Sequence, residues 1–259
     1  MKTVLITGGC GFIGSNLTNY FLKKKIKVIV LDKYNFQNNY GWLENFREKK
    51  NLEIELGDIR DYDFVNDTIK KVDSVIHLAA LIGIPYSYKS PLAYINTNIL
   101  GTYNILESCK KNKIKNIIIT STSEVYGSSK YEPMDENHPT ESQSPYAASK
   151  NSADELTKSY FKSFNLPVKI IRPFNTYGPR QSARAVIPNI IFQLNSKKIK
   201  QVKLGNLMPK RDYTFVEDLC DAYYKIYNLK KFGETYNVGT DNNISIKELY
   251  NLISKIIGI

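Results

Sequence analysis

Tyr146 and Lys150 stand four residues apart at the start of a helical pattern, so both side chains leave the same face. A lysine ammonium beside a phenol draws its pKa down from ~10, which makes the oxygen a usable proton acceptor for an alcohol being oxidised. The same spacing also describes an ordinary pair on a helix surface, so its neighbours decide. Upstream, the run Ile119-Thr120-Ser121-Thr122-Ser123-Glu124-Val125-Tyr126-Gly127 passes from apolar residues to hydroxyls and one carboxylate. Such residues at the carboxyl edge of a parallel sheet sit where doubly wound folds bind ligands. Near the start of the chain, Gly8, Gly11 and Gly14 recur between an apolar run and an amphipathic one. Glycines so placed allow a tight turn, a close approach to a pyrophosphate and close packing of helix on strand. Asp32 ends the next apolar run, where a carboxylate accepts hydrogen bonds from a ribose 2′-hydroxyl and repels a 2′-phosphate, favouring NAD over NADP; the alternative is a turn residue. Asp58, after Gly57, is placed either to read an adenine amino group or to cap the helix that follows Asp61.

The elements that must position these groups are legible from periodicity. Short apolar runs from Val4 to Thr7, Val28 to Leu31, Leu52 to Leu56, Val75 to Leu78, Ile117 to Ser121 and Val168 to Arg172 read as strands buried on both faces. Amphipathic stretches from Phe12 to Lys24, Leu92 to Lys111 and Tyr146 to Phe164 separate them. The alternation predicts an α/β fold, a Rossmann-type doubly wound parallel sheet over residues 1–172 that carries the Tyr/Lys helix. Past Arg172 the chain turns Pro- and Asn-rich, with shorter helices from Pro188 to Asn195 and Val216 to Asn228. Residues 173–259 are read as a smaller substrate lobe, ending in a helix from Ser245 to Ile257 entered through a Ser245 cap with Glu248 three residues on.

Composition removes other classes. The 259 residues are 42% apolar, with no stretch long enough to span a bilayer, and the opening Met1 to Thr7 does not read as a signal peptide. The net charge of +11 comes mostly from scattered lysines, as in Lys23 to Lys25, Lys110 to Lys115 and Lys197 to Lys203. Without arginines interleaved with aromatics these read as a solvated surface, so no nucleic-acid or membrane partner is expected. Cys10, Cys109 and Cys220 have no metal-ligand spacing and suit a reducing compartment, so a cytoplasmic protein is expected; His77 and His138 are too few for a histidine metal site, and no metal is expected.

Taken together, the glycine pattern, Asp32, Leu78-Ala79-Ala80, Asn98 before Gly101, the Thr122 strand end and Tyr146 with Lys150 resemble the extended short-chain dehydrogenases/reductases. The segment Arg172-Pro173-Phe174-Asn175-Thr176-Tyr177-Gly178-Pro179-Arg180 is similar to the one that holds a nucleotide-sugar diphosphate in that family. The resemblance implies NAD as a bound, recycled oxidant, held by Gly8, Gly11, Phe12, Ile13, Gly14, Asp32, Asp58, Ile59, Leu78, Ala79, Ala80, Asn98, Thr120, Ser121 and Phe174 together with Tyr146 and Lys150. It places Thr122 and Tyr146 on the sugar 4-hydroxyl, Lys150 on the nicotinamide ribose, and Tyr86, Ser123, Asn175, Arg184, Val186 and Arg211 on the substrate, Asn175 and Arg211 near its phosphates. It also implies a homodimer, through the helices that begin at Leu92 and Tyr146.

Within the family, the residue two after the threonine discriminates. Glu124 resembles the acid of 4,6-dehydratases and glucuronate decarboxylases, whereas simple 4-epimerases have a small or neutral residue there. Once C4 is a ketone the C5 hydrogen is acidic, and Glu124 is the candidate base that removes it while the C6 hydroxyl leaves as water; its alternative is a solvated carboxylate at a strand end. Ser123 departs from hexose dehydratases with an aspartate at that place, while Thr-Ser-Glu is similar to the GDP-mannose dehydratases. Ser144-Pro145-Tyr146 departs from the decarboxylases. Segments 84–88, 180–188 and 209–213 look most like N-acetylglucosamine nucleotide 4,6-dehydratases of legionaminic acid type pathways. The expectation is therefore an NAD-dependent 4,6-dehydratase acting on UDP- or GDP-N-acetylglucosamine. A 4-epimerase, a UDP-glucuronate decarboxylase and an NAD-binding protein without turnover stand as alternatives, the last because relatives continue past the helix after Ser245 while this chain stops at Ile259.

Overall fold

The computed structural model describes residues 2–33, 37, 39–46, 48–196, 198, 199 and 201–258; Met1, Lys197 and Lys200 of the third lysine run and Ile259 lie outside the described residues. The strands in chain order are β1 (Thr3–Thr7), β2 (Lys27–Lys33), β3 (Leu52–Gly57), β4 (Ser74–His77) and β5 (Ile117–Thr120). They continue as β6 (Val168–Pro173), β7 (Asn175–Tyr177), β8 (Lys210–Phe215), β9 (Thr235–Val238) and β10 (Asn243–Ser245). The helices are α1 (Phe12–Lys23), α2 (Tyr62–Ile69), α3 (Ile84–Ser87), α4 (Pro91–Tyr94) and α5 (Gly101–Lys111). After them come α6 (Pro145–Phe164), α7 (Val186–Asn195), α8 (Val216–Asn228) and α9 (Ile246–Ile257).

Seven strands form one parallel sheet in the order β3-β2-β1-β4-β5-β6-β9. Successive strand residues face opposite sides, and both sides are apolar here. Val4, Ile6, Val28, Val30, Ile118 and Ile171 join a core closed by Leu17 and Phe21 of α1 and Leu219, Tyr223 and Ile226 of α8. Leu5, Ile29, Leu31, Ile117 and Ile119 join the other, closed by Val65 and Ile69 of α2, Ile105 and Cys109 of α5 and Tyr160 of α6. Each such side chain contributes roughly 1.5–3 kcal/mol on burial, which is why the strands read as continuous apolar runs rather than alternating ones. The order reverses between β1 and β4, and at such a point the carboxyl ends of neighbouring strands open into a crevice.

Two features differ from the sequence reading. Past residue 173 the chain returns to the main sheet: β9 adds beside β6 and α8 packs beside α1. The elements that stand apart are β7, β8 and β10, a small sheet of order β10-β8-β7, with α7 and α9 around Ile190, Leu249 and Ile253. The mixed run Thr235-Tyr236-Asn237-Val238 gives no apolar signal because β9 is a half-buried edge strand. The stretch from Leu92 to Lys111 is helical but not uniform: a π turn over Ile95–Leu100 joins α4 to α5. π turns often mark functional positions. At the end of the chain the capping box forms as the spacing implies, Ser245 Oγ accepting from Glu248 N and the Glu248 carboxylate accepting from Ser245 N at 2.8 Å.

Candidate active site

The carboxyl ends of the central strands and the segments after them enclose a cavity of about 880 Å³, within the range of small-molecule and cofactor sites. At its β1 end the glycines are required by contact. A Cβ on Gly8, whose φ is +72°, would lie 2.9 Å from Ala79 N, and one on Gly14 would overlap the Gly8 carbonyl oxygen. α1 has Gly11 as its N-cap, with no side-chain cap and no acidic residue in its first turn, so nothing in that turn neutralises the partial positive charge of its leading N–H groups. Gly8, Gly11, Phe12, Ile13 and Gly14 all line the cavity.

Asp32 lies near the end of β2. One oxygen accepts from Cys10 N in the glycine loop and the other from Lys33 N, both at 2.7 Å, which fixes the carboxylate at the cavity wall. Asp58 does not cap α2; Asp61 does, accepting from Phe64 N. Asp58 instead accepts from Arg60 N and Nε, each at 2.9 Å, and from the Arg60 Nη2, and that guanidinium holds its carboxyl below the usual range. Asp58, Ile59 and Arg60 line the same end of the cavity.

Beneath the Leu78-Ala79-Ala80 turn, His77 is a brace. Thr7 Oγ1 accepts from Leu78 N and Ala79 N at 3.1 Å, so its own proton goes to His77 Nδ1 at 2.7 Å, and His77 Nε2–H donates to Thr102 Oγ1 at 3.2 Å. Burial pushes the imidazole down to about 3, with the Lys150 charge adding to the shift, so the ring is neutral. Among the described residues no group of three His, Cys, Asp or Glu could hold a metal ion.

At the β5 end, Ser144 caps α6 by accepting from Ala147 N, and Pro145 occupies the first turn, which sets Tyr146 against the strand end. Tyr146 is buried edge-on to Tyr94, with the Thr122 hydroxyl as its hydrogen-bond neighbour. Lys150, one turn on, is buried and donates to the Thr120 carbonyl at 2.5 Å. The expected lowering of the phenol is not what the geometry gives. Burial pushes Tyr146 up to about 12, Glu124, Tyr94 and Asp154 add to the rise, and only Thr122 opposes it. Burial likewise pushes Lys150 down to about 8 against the pull of Asp154.

Most of the sequence-derived residues meet in this cavity: Thr120, Ser121, Thr122, Ser123, Glu124, Tyr146, Lys150, Phe174, Asn175 and Tyr86 all line it. Asn98 does not. It is buried in the π turn, where its side chain accepts from Leu81 N and donates to Leu81 O and Ser149 Oγ, tying the segment after β4 to α6. Val186 starts α7 and packs on the lobe core, and Arg184 is exposed with its backbone N–H on Ser182 Oγ. Arg211 lies on a second cavity of about 720 Å³ that shares Ser123, Glu124, Phe174 and Asn175 with the first. Glu124 thus stands in the wall common to both. The sequence reading missed Arg60 and Gln181 in the lining and, behind it, Asp154, paired with Arg172. The position of Asp154 one turn after Lys150 was the available signal.

The family model described as GDP-mannose 4,6 dehydratase matches residues 5–259. The chain is similar to a dTDP-D-glucose 4,6-dehydratase of Dictyostelium discoideum, 40% identical over 95% of this chain and 60% of that protein. Among solved structures it is similar to a dTDP-glucose 4,6-dehydratase of Streptomyces venezuelae with NAD bound, with a TM-score of 0.91 and 29% identity over 98% of this chain and 81% of that one. A UDP-N-acetylglucosamine 4-epimerase of Methanobrevibacter ruminantium in complex with UDP-N-acetylmuramic acid gives a TM-score of 0.90 and 32% identity over 100% of this chain and 83% of the other. The chain thus spans less than two thirds of the length of the Dictyostelium relative and about four fifths of the two solved structures.

Proposed function

The chain belongs to the GDP-mannose 4,6-dehydratase family of nucleotide-sugar dehydratases and epimerases, and on that premise we propose that it is an NAD-dependent nucleotide-sugar 4,6-dehydratase. One observation carries the reading: the Glu124 carboxylate lines both cavities, in the wall they share, with Thr122 and Tyr146 in the lining of the first. The uncapped α1 start, the open face of the glycine turn and the fixed Asp32 carboxylate suit a pyrophosphate and an adenosine ribose. NAD held there would supply the hydride acceptor for C4 of the sugar and the source of the hydride returned to C6.

The remaining chemistry belongs to the side chains. Tyr146, as phenolate, takes the proton of the 4-hydroxyl that Thr122 orients, and Lys150 supplies the positive charge that favours the phenolate. With C4 a ketone, Glu124 takes the C5 proton. The C6 hydroxyl departs as water with a proton that Glu124 can return, since Ser123 beside it is not an acid at neutral pH. The sugar proposed is N-acetylglucosamine on UDP or GDP, on the likeness of segments 84–88, 180–188 and 209–213; the dTDP-glucose enzymes among the relatives put dTDP-glucose next in the trial. Replacing the base tests the assignment: Glu124→Gln is expected to bind NAD as the parent does and to lose water elimination by about 10²–10⁴-fold. A variant that still releases the 4-keto-6-deoxy product at the parent rate removes Glu124 from the role.

The second reading is a 4-epimerase. It is favoured by Ser123, a hydroxyl where hexose dehydratases carry an acid, and by the epimerase among the structural neighbours. Two further parts of the reading concern setting. Leu92, Ile95, Leu100 and Tyr103 form an exposed apolar stripe along α4, the π turn and α5, which supports a homodimer through this helix and α6. Three unpaired cysteines support action in the cytoplasm, and among the described residues no helix is long and apolar enough to cross a membrane.

A further inference from the structure

Behind Tyr146 and Lys150 lies a charged group that the chemistry above does not use. Asp154 follows Lys150 by one turn on α6, and the two residues are 0% and 4% exposed. One Asp154 oxygen accepts from Ser121 Oγ at 2.8 Å and from Arg172 Nε at 3.0 Å, with Arg172 Nη2 at 2.9 Å. Arg172, 2% exposed on β6, is stacked on Tyr126 at 4.8 Å, so its guanidinium is fixed from the other side. Ser121 directly follows Thr120, whose carbonyl receives the Lys150 ammonium. The carboxylate and the ammonium therefore grip adjacent residues of one strand end. The other Asp154 oxygen is buried with no hydrogen-bond partner, an arrangement that costs free energy unless its charge serves a neighbour.

We infer that Asp154, fixed by Arg172 and Ser121, is the positioning residue whose carboxylate keeps Lys150 an ammonium beneath Tyr146. The argument is one of charge. Lys150 and Arg172 are two cations taken out of water, and among the described residues Asp154, paired with Arg172 and one helical turn from Lys150, is the one buried carboxylate. Of the other titratable groups around Lys150, His77 of β4 feels its charge, and Tyr146 on its own helix, Glu124 after β5 and Tyr86 of α3 line the same cavity. The imidazole is neutral and Glu124 lines the cavities, so neither replaces Asp154 as a buried counter-charge. Without Asp154 the lysine faces a second cation across the strand end, and a neutral amine there gives no support to a phenolate. Burial already draws Lys150 down to about 8, and Asp154 acts against it.

This inference rests on the roles given to Tyr146 and Lys150, but its first readout does not need activity. The full chain carrying ¹³C-labelled lysine is titrated by NMR, the Lys150 Cε signal being assigned from its loss in Lys150→Met. Asp154→Asn is expected to move the Lys150 midpoint down by about 1–3 pH units, and Asp154→Glu to restore most of the shift. The double variant Asp154→Asn with Arg172→Met removes anion and cation together, so it avoids an unpaired buried guanidinium and places the midpoint between parent and single variant. An unmoved Lys150 midpoint in either folded variant overturns the inference. If the midpoint moves while the high-pH limb of kcat does not, the role of Asp154 stands and the catalytic role of Lys150 fails.

Discussion

Tyr146 and Lys150 show how far a residue pattern reaches. Their spacing identified the pair, and Ser144 with Pro145 fixed where the helix begins, but the sign of the Tyr146 shift was beyond a linear reading. Burial sets that sign, together with Glu124, Tyr94 and Asp154, which only the folded chain brings within reach. Asp154 gains its partner only in the fold, where β6 brings Arg172 to it. The Lys150 shift carries a pH prediction. A free lysine holds its proton to ~10.4, whereas Lys150 titrates at about 8, so its ammonium is present below that pH and lost as pH rises through it. The kcat profile is expected to fall above about pH 8, and a plateau extending to pH 10 would exclude the Lys150 ammonium from the rate-determining chemistry. Because folding lowers this pKa, the charged form opposes folding at neutral pH, and that cost fades as pH rises between 8 and the unfolded value.

At the scale of elements, the legible parts were those buried on both faces. The Val- and Ile-rich runs of β1, β2, β5 and β6 cannot be soluble turns, and the glycines after β1 can only be a close packing of α1 on the sheet. β9 was not legible, since an edge strand with half-buried residues carries no periodic signal. Nor was the π turn, which points Asn98 at Leu81 and Ser149 rather than into the cavity. The Arg211 position depends on β8 packing in the small sheet, which no spacing reports. The packing of α1 gives a direct test. A Cβ at residue 14 overlaps the Gly8 carbonyl oxygen, so Gly14→Ala must push α1 from β1. The variant is expected to lose about 1–3 kcal/mol of stability and to bind NAD at least tenfold more weakly, read by thermal unfolding and by calorimetric titration. Unchanged NAD affinity would mean that the turn is not the pyrophosphate site.

For the whole molecule, the sheet fixes a crevice, the small lobe contributes to its walls, and the exposed apolar stripe from Leu92 to Tyr103 is the surface of the proposed dimer. Light scattering is expected to give a dimer for the parent and a folded monomer for the Leu100→Glu, Tyr103→Glu double variant; a parent that is monomeric at micromolar concentration contradicts the proposed interface. The central claim concerns what leaves the crevice. The most direct measurement incubates the purified chain with NAD and UDP-N-acetylglucosamine, GDP-N-acetylglucosamine or dTDP-glucose in deuterated water and follows product mass. A 4,6-dehydratase gives a product lighter by one water, with solvent deuterium at C5 and a ketone at C4. Recovery of an unchanged mass with C4 inverted would contradict the dehydratase and make the chain an epimerase, and unchanged sugar in all three trials would contradict turnover of these substrates.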